Sequence, residues 1–326
     1  MKKIILSAFA ISALTLVSCN TDFERDVNNM TVSTGKADFS KFVSVGNSLT
    51  SGFRDGALYL DGQNESFPSM IAKQMGLAGG TQTFTQPLMP NNVGGFKDLF
   101  AASGNTEFYG KLTLSPTLSP TPSAPGANLD VIGGTGKYFN NMGVPGAKSF
   151  HLVTPGYGSA ANLATGKANP YFVRFATSAT TTVLADAAAQ KPSFYTLWIG
   201  NNDVLSYATS GGSGVDQKGN LDPSTYGSND ISDPNVVANV IKTVITSLKT
   251  ANANSKGAIA NIPYVTSIPY FTTVPATPIA GLTATQVSQL NAAYATYNGG
   301  LLTLKNLGAI TTAEYNARLI KFSENG

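Results

Sequence analysis

The chain has 326 residues, 42% of them hydrophobic and 12% charged, with a formal net charge of +3, one cysteine and one histidine. This is apolar material for one large domain or two small ones, and a near-neutral chain without a basic stripe excludes nucleic acid as a partner. One cysteine excludes an internal disulfide. One cysteine and one histidine make no zinc site, and no calcium-loop pattern occurs, so neither a metal nor another cofactor is expected.

Met1-Lys2-Lys3 is cationic, and Ile4 to Val17 is an apolar run too short to span a bilayer but of signal-peptide length. The run ends in Leu16-Val17-Ser18-Cys19, which resembles a bacterial lipobox. The resemblance implies that residues 1–18 are removed and that the Cys19 thiol carries a lipid. The protein is then expected on the outer membrane, on its periplasmic or cell-surface face. Loss of Lys2 and Lys3 leaves a mature charge of +1. The alternative is an ordinary secretory signal with a chance cysteine. Residues 19–37 are polar and read as a flexible tether, and one domain is expected over 38–326.

Residues 41 to 46 alternate apolar and small side chains and end in Gly46, which predicts a buried strand and a sharp turn. Ser66-Phe67-Pro68 opens a helix that Gly76 stops. Residues 79–136 are rich in Gly, Pro, Ser and Thr, keep no periodic apolar face, and read as a long insertion outside the core. Lys137 to Asn141 is a candidate strand, and Thr177 to Gln190 a candidate helix. Pro192 to Gly200 is a buried strand, and residues 208–232 form a second Gly, Ser and Asp loop. Asp233-Pro234 starts a helix with Val236, Val237, Val240, Ile241, Val244, Ile245 and Leu248 on one face at spacings of three and four. Lys256 to Ile262 is the next strand. Thr283 and Gln286 make a capping box for a helix carrying Val287, Leu290, Tyr294 and Tyr297. A last helix is expected over Thr312 to Phe322. This alternation predicts an α/β fold, a parallel sheet covered by helices on both sides. Ligands bind at the carboxyl ends of such strands.

Three strand ends carry candidate chemistry. Ser48 in Gly46-Asn47-Ser48-Leu49 stands on a tight turn, where a hydroxyl and its own backbone N–H can face one substrate atom. Gly143 in Asn141 to Gly146 can bring a backbone N–H close to a ligand. Asn202 in Gly200-Asn201-Asn202-Asp203 offers an uncharged amide donor, with Asp203 free to cap the helix that follows. Each alone reads equally as a turn.

In order and in detail the three segments resemble the blocks of the SGNH (GDSL-like) hydrolase family: Gly-Asp-Ser-Leu, Asn-x-Gly-x-x-Gly and Gly-x-Asn-Asp. The resemblance covers residues 41 to about 270. It implies a three-layer α/β/α flavodoxin-like fold and a serine esterase or lipase-like activity on ester bonds of an acyl glycan or lipid. Ser48 becomes nucleophile and oxyanion donor, Gly143 a backbone donor, and Asn202 a side-chain donor. Asn47 departs from the family's Asp. The larger departure is the base, because the family's Asp-x-x-His is absent and the sole histidine is His151, readable as base or as structural residue. The expectation is a sequence that stops before the histidine block, lacking the last strand and helix. The loops 79–136 and 208–232 are candidate specificity walls. The rival reading is a non-catalytic surface lipoprotein that binds a glycan or protein partner. Tyr264, Tyr270 and Phe271 are candidate pocket walls or loop packing.

Overall fold

The structure, a computed structural model, describes residues 32–80, 83–273, 279 and 281–324. The predicted signal peptide, Cys19 and most of the tether lie outside them.

Strand β1, Phe42–Gly46, is buried at all five positions. Its alternation sends Phe42 and Ser44 to one face and Val43 and Val45 to the other. A single helical turn, α1 (Ser48–Ser51), follows at once. Helix α2, Phe67–Leu77, starts where Ser66 accepts a hydrogen bond from the Ser69 N–H, with Pro68 in the first turn. A small antiparallel hairpin, β2 (Leu112–Leu114) and β3 (Pro120–Pro122), decorates the long excursion. Strand β4 is Asn141–Gly143, where the sequence predicts Lys137 to Asn141: it starts four residues later and ends two later. Helix α3, Val183–Ala189, precedes β5, Phe194–Trp198, which is followed by α4, Asn202–Thr209. Helix α5, Pro234–Ala251, is capped by Asp233, whose carboxylate accepts from the N–H groups of Asn235 and Val236. Such a cap stabilises a helix by about 1 kcal/mol. Strand β6 is Lys256–Ile259. Helices α6 (Ala284–Ala293), α7 (Ala295–Asn306) and α8 (Thr312–Arg318) complete the described chain.

The four longer-range strands form one parallel sheet in the order β4-β1-β5-β6. The register sets Val43 beside Tyr195 and Val45 beside Leu197. That face packs on Val183, Leu184 and Ala187 of α3 and on Val236, Val240, Val244 and Leu248 of α5 in the main core. Each such buried side chain contributes about 1.5–3 kcal/mol by leaving water. The opposite face carries Phe42 beside Phe194, covered by Ala72 and Met75 of α2, and a polar cross-strand pair in which the Ser44 and Thr196 hydroxyls lie 2.6 Å apart. Trp198, half-buried, packs edge-on against Phe67.

Four expectations need correction. The excursion is not bare loop: it holds a helix at Lys97–Ala102, and its Met89 and Phe96 are buried against Leu58 in a satellite core. Arg174, 1% exposed, ties it to the body by donating to the Asp130 carboxylate and to the carbonyls of Pro87 and Leu88. Residues 177–182 are not helical, because the Asp186 carboxylate collects the N–H and hydroxyl of Thr177 and the hydroxyl of Thr181 instead. The helix opened by the Thr283–Gln286 capping box stops at Ala293, and a new one starts at Ala295. Finally, β6 is exposed at all four residues, whereas strands of parallel sheets are ordinarily covered on both faces.

Candidate active site

The chain leaves β1 for β4 on one side and later reaches β5 on the other, so the carboxyl end of β1 is a switch point where two connections part and a crevice opens. Gly46 is in register with Gly143 and with Trp198, so the three segments singled out in the sequence leave three adjacent strands at one level.

Ser48 opens α1, where the first N–H groups of a helix lack intrahelical acceptors. Asn47, fully buried, fixes the turn. Its side-chain oxygen accepts from the Leu49 N–H at 3.1 Å, and its amide donates to the Asn201 side-chain oxygen at 3.2 Å. The residue that departs from the family's Asp thus bridges the first and third segments. Ser48 itself is half-buried. No hydrogen bond to its hydroxyl is found among the described residues.

Asn202 is the first residue of α4, and its amide donates one hydrogen to the Ala147 carbonyl at 2.9 Å. The second amide hydrogen remains for a ligand. Asp203 is 1% exposed and accepts from the Ser149 N–H and the Ser149 hydroxyl, both at 2.8 Å. Burial pushes its carboxyl above the usual range, offset by the bonds from Ser149 and by the charge of Lys148. Asn202 and Asp203 together clamp the second segment onto the third.

Gly143 is brought to the cluster but not as the expected donor. It is the last residue of β4, and its N–H already donates to the Asn141 side-chain oxygen at 3.0 Å. Its lack of a side chain serves packing, since an added Cβ would collide with the backbone nitrogen of Ser51. The exposed residue of this loop is Gly146, at φ +79, and no acceptor for its N–H is found among the described residues. The sequence signal for it is Pro145-Gly146, a turn dipeptide just past the strand. Ending the predicted strand at Asn141, two residues early, hid it.

His151 sits in a short 3-10 helix, Ser149–Val153. Its Nδ1 accepts from the Lys148 N–H at 3.0 Å, and its ring stacks on Tyr157 at 4.4 Å. Burial, then the Lys148 charge, pull its pKa down to about 4. A neutral ring with Nδ1 accepting carries its proton on Nε2. Lys148 is itself buried, donates from Nζ to the Asp230 carbonyl, and has its pKa lowered by burial. Tyr264 and Tyr270 are 86% and 68% exposed. Tyr264 borders a groove of about 350 Å³ with Ile241, Ile259 and Ile262.

Among the described residues, no group of three or more His, Cys, Asp or Glu could hold a metal ion, and no helix is long and apolar enough to cross a membrane. Compared with known proteins, the chain matches no family model, no curated protein and no solved structure.

Proposed function

We propose that the chain is a serine ester hydrolase resembling the SGNH family, with Ser48 as nucleophile. The observation that carries the reading is the cross-linking of three adjacent strand ends around Ser48 by the Asn47–Asn201 and Asn202–Ala147 hydrogen bonds. Ser48 Oγ attacks the ester carbonyl carbon. The oxyanion is held by the N–H of Ser48, the N–H of Gly146 and the free amide hydrogen of Asn202. One such donor lowers the barrier by about 3 kcal/mol. The alkoxide leaves with a proton, and water then releases the acyl group from Ser48. Lipidation of Cys19 would hold the enzyme at the outer membrane, where acylated glycans or lipids are its substrates.

Attack requires a base for the Ser48 proton. His151 does not serve, because its Nδ1 is engaged by the Lys148 N–H and burial together with the Lys148 charge lowers its basicity. We therefore expect slow turnover at neutral pH, with Ser48 reacting with a strong electrophile at alkaline pH, where hydroxide takes its proton. A fluorophosphonate probe tests this. Labelling of the wild type that disappears in Ser48→Ala supports the hydrolase, and absence of labelling in both removes it. The second reading is a glycan-binding lipoprotein without catalysis, and it draws on the engagement of His151 Nδ1 by the Lys148 N–H. Incorporation of labelled palmitate, lost in Cys19→Ala, tests the anchor.

A further inference from the structure

A cleft of about 660 Å³ opens directly from the cluster, with Gly146 in its lining and Ser206, one turn along α4 from Asn202, beside it. Its size is that of ligand sites, ~300–1,000 Å³. Ser206 belongs to the cluster's own scaffold, since its hydroxyl donates to the Asn202 carbonyl. The segment after α4 that the sequence marks as a specificity loop contributes Ser224, Tyr226 and Asn229 to the lining, and Asn162 and Lys167 line it from a separate segment.

The chemistry of this lining is selective. No Leu, Ile, Val or Met lines the cleft, and its apolar side chains are the rings of Phe150 and Tyr226 and the prolines Pro155 and Pro223. The exposed charges are one of each sign, Lys167 and Asp222, so no field of one sign draws a phosphate or polyanion. Hydroxyls and carboxamides supply both donors and acceptors. Behind them runs a row of rings. Tyr226 meets Phe150 edge-on at 5.6 Å, Phe150 lies 4.3 Å from His151, and His151 stacks on Tyr157. Tyr226, Phe150 and His151 all border the cleft. Paired donors and acceptors beside aromatic rings suit a sugar, which presents hydroxyls at its edge and C–H groups on its face.

We infer that this cleft binds the neutral carbohydrate of an acylated glycan, the alcohol part of the ester, while the acyl group lies outside it. The inference rests on the hydrolase reading for the direction of the ester, but the cleft's preference for sugar stands on its lining. His151 gains a role here as a fixed Nε2–H donor on the cleft wall, held in one tautomer by the Lys148 N–H.

Saturation-transfer NMR of the whole chain with neutral gluco-, xylo-, manno- and N-acetylglucosamine tetramers tests the inference. Ser228 and Lys167 are both exposed on the lining and come from separate segments, so Ser228→Trp and Lys167→Trp plug the cleft independently. We expect transfer to at least one tetramer, weakened at least tenfold in whichever plugged variants melt like the wild type and within twofold in Ser228→Ala. No transfer to any tetramer, or equal affinity in the plugged variants, overturns it. Fluorophosphonate labelling of the wild type and Ser48→Ala separates the two readings. Sugar binding without labelling leaves the cleft standing and removes the hydrolase, and labelling without sugar binding does the reverse.

Discussion

The two ends of the sheet are built to different standards. Around β1 every strand end is tied to its neighbour by a buried or half-buried side chain: Asn47 to Asn201, Asn141 to the Thr50 carbonyl, Asn202 to the Ala147 carbonyl and Asp203 to Ser149. At the other edge, β6 is exposed along its length, and the helices after it bury a single residue among them, Leu301. Polar cross-links of this kind are costly to leave unsatisfied and contribute little net stability. Their concentration at one end of the sheet therefore speaks for positioning, since a well-packed apolar contact would stabilise that end as well.

The comparison breaks most visibly at Asp203. Asp203→Ala orphans the N–H and hydroxyl of Ser149, at ~1–3 kcal/mol for each buried donor, so we expect a loss of about 4 kcal/mol in urea denaturation. Ser48 labelling should fall further than stability alone accounts for, because the loop carrying Gly146 is released. A loss under about 1 kcal/mol would place the clamp's importance elsewhere.

How much of this was legible in the sequence follows from the kind of signal each element leaves. Strand β1 and helices α2 and α5 announce themselves through alternation, a Ser66 or Asp233 cap, and a valine stripe. Those are local features that survive in the fold. The nucleophile candidate Ser48 and the amide of Asn202 were legible because each follows a strand with a clear end. Gly146 was not, because β4 is only three residues long and too short to show a period. The satellite core was hidden for a related reason. Met89 and Phe96 lie in aperiodic chain and find Leu58 and Tyr171 outside the insertion, a pairing that only tertiary structure supplies. The clamp by Asp203 was half visible: its place at the start of α4 suggested a cap, yet its carboxylate reaches across to Ser149, 54 residues away in sequence.

The pH dependence sharpens the same contrast. His151 has its pKa lowered from the ordinary 6.5 to about 4 by burial and by Lys148. The unfolded chain therefore takes up the proton first as pH falls, and the contribution of this residue is complete above pH 6.5 and lost on the way down to about 4. At ~1.4 kcal/mol per factor of ten in proton affinity, the loss is roughly 3 kcal/mol. Asp203 works in the opposite sense, since its raised pKa favours the folded state as acid is added. The difference between wild type and His151→Gln isolates the imidazole. Urea midpoints of the variant should fall less between pH 6.5 and 4, and parallel profiles would mean that the ring is reached by water.

The smallest expected effect lies at the far edge. Ile259 is the last residue of β6 and is 46% exposed, beside the groove formed with Ile241, Ile262 and Tyr264. Its side chain is already partly in water, so Ile259→Lys forfeits little burial, and a lysine can lay its stem along the groove while its ammonium stays solvated. We expect a change within about 0.5 kcal/mol in urea denaturation, in line with exposed substitutions generally, and unaltered Ser48 labelling. A loss of 2 kcal/mol or more would mean that this edge is covered in solution, and the contrast between the two ends of the sheet would fail there first.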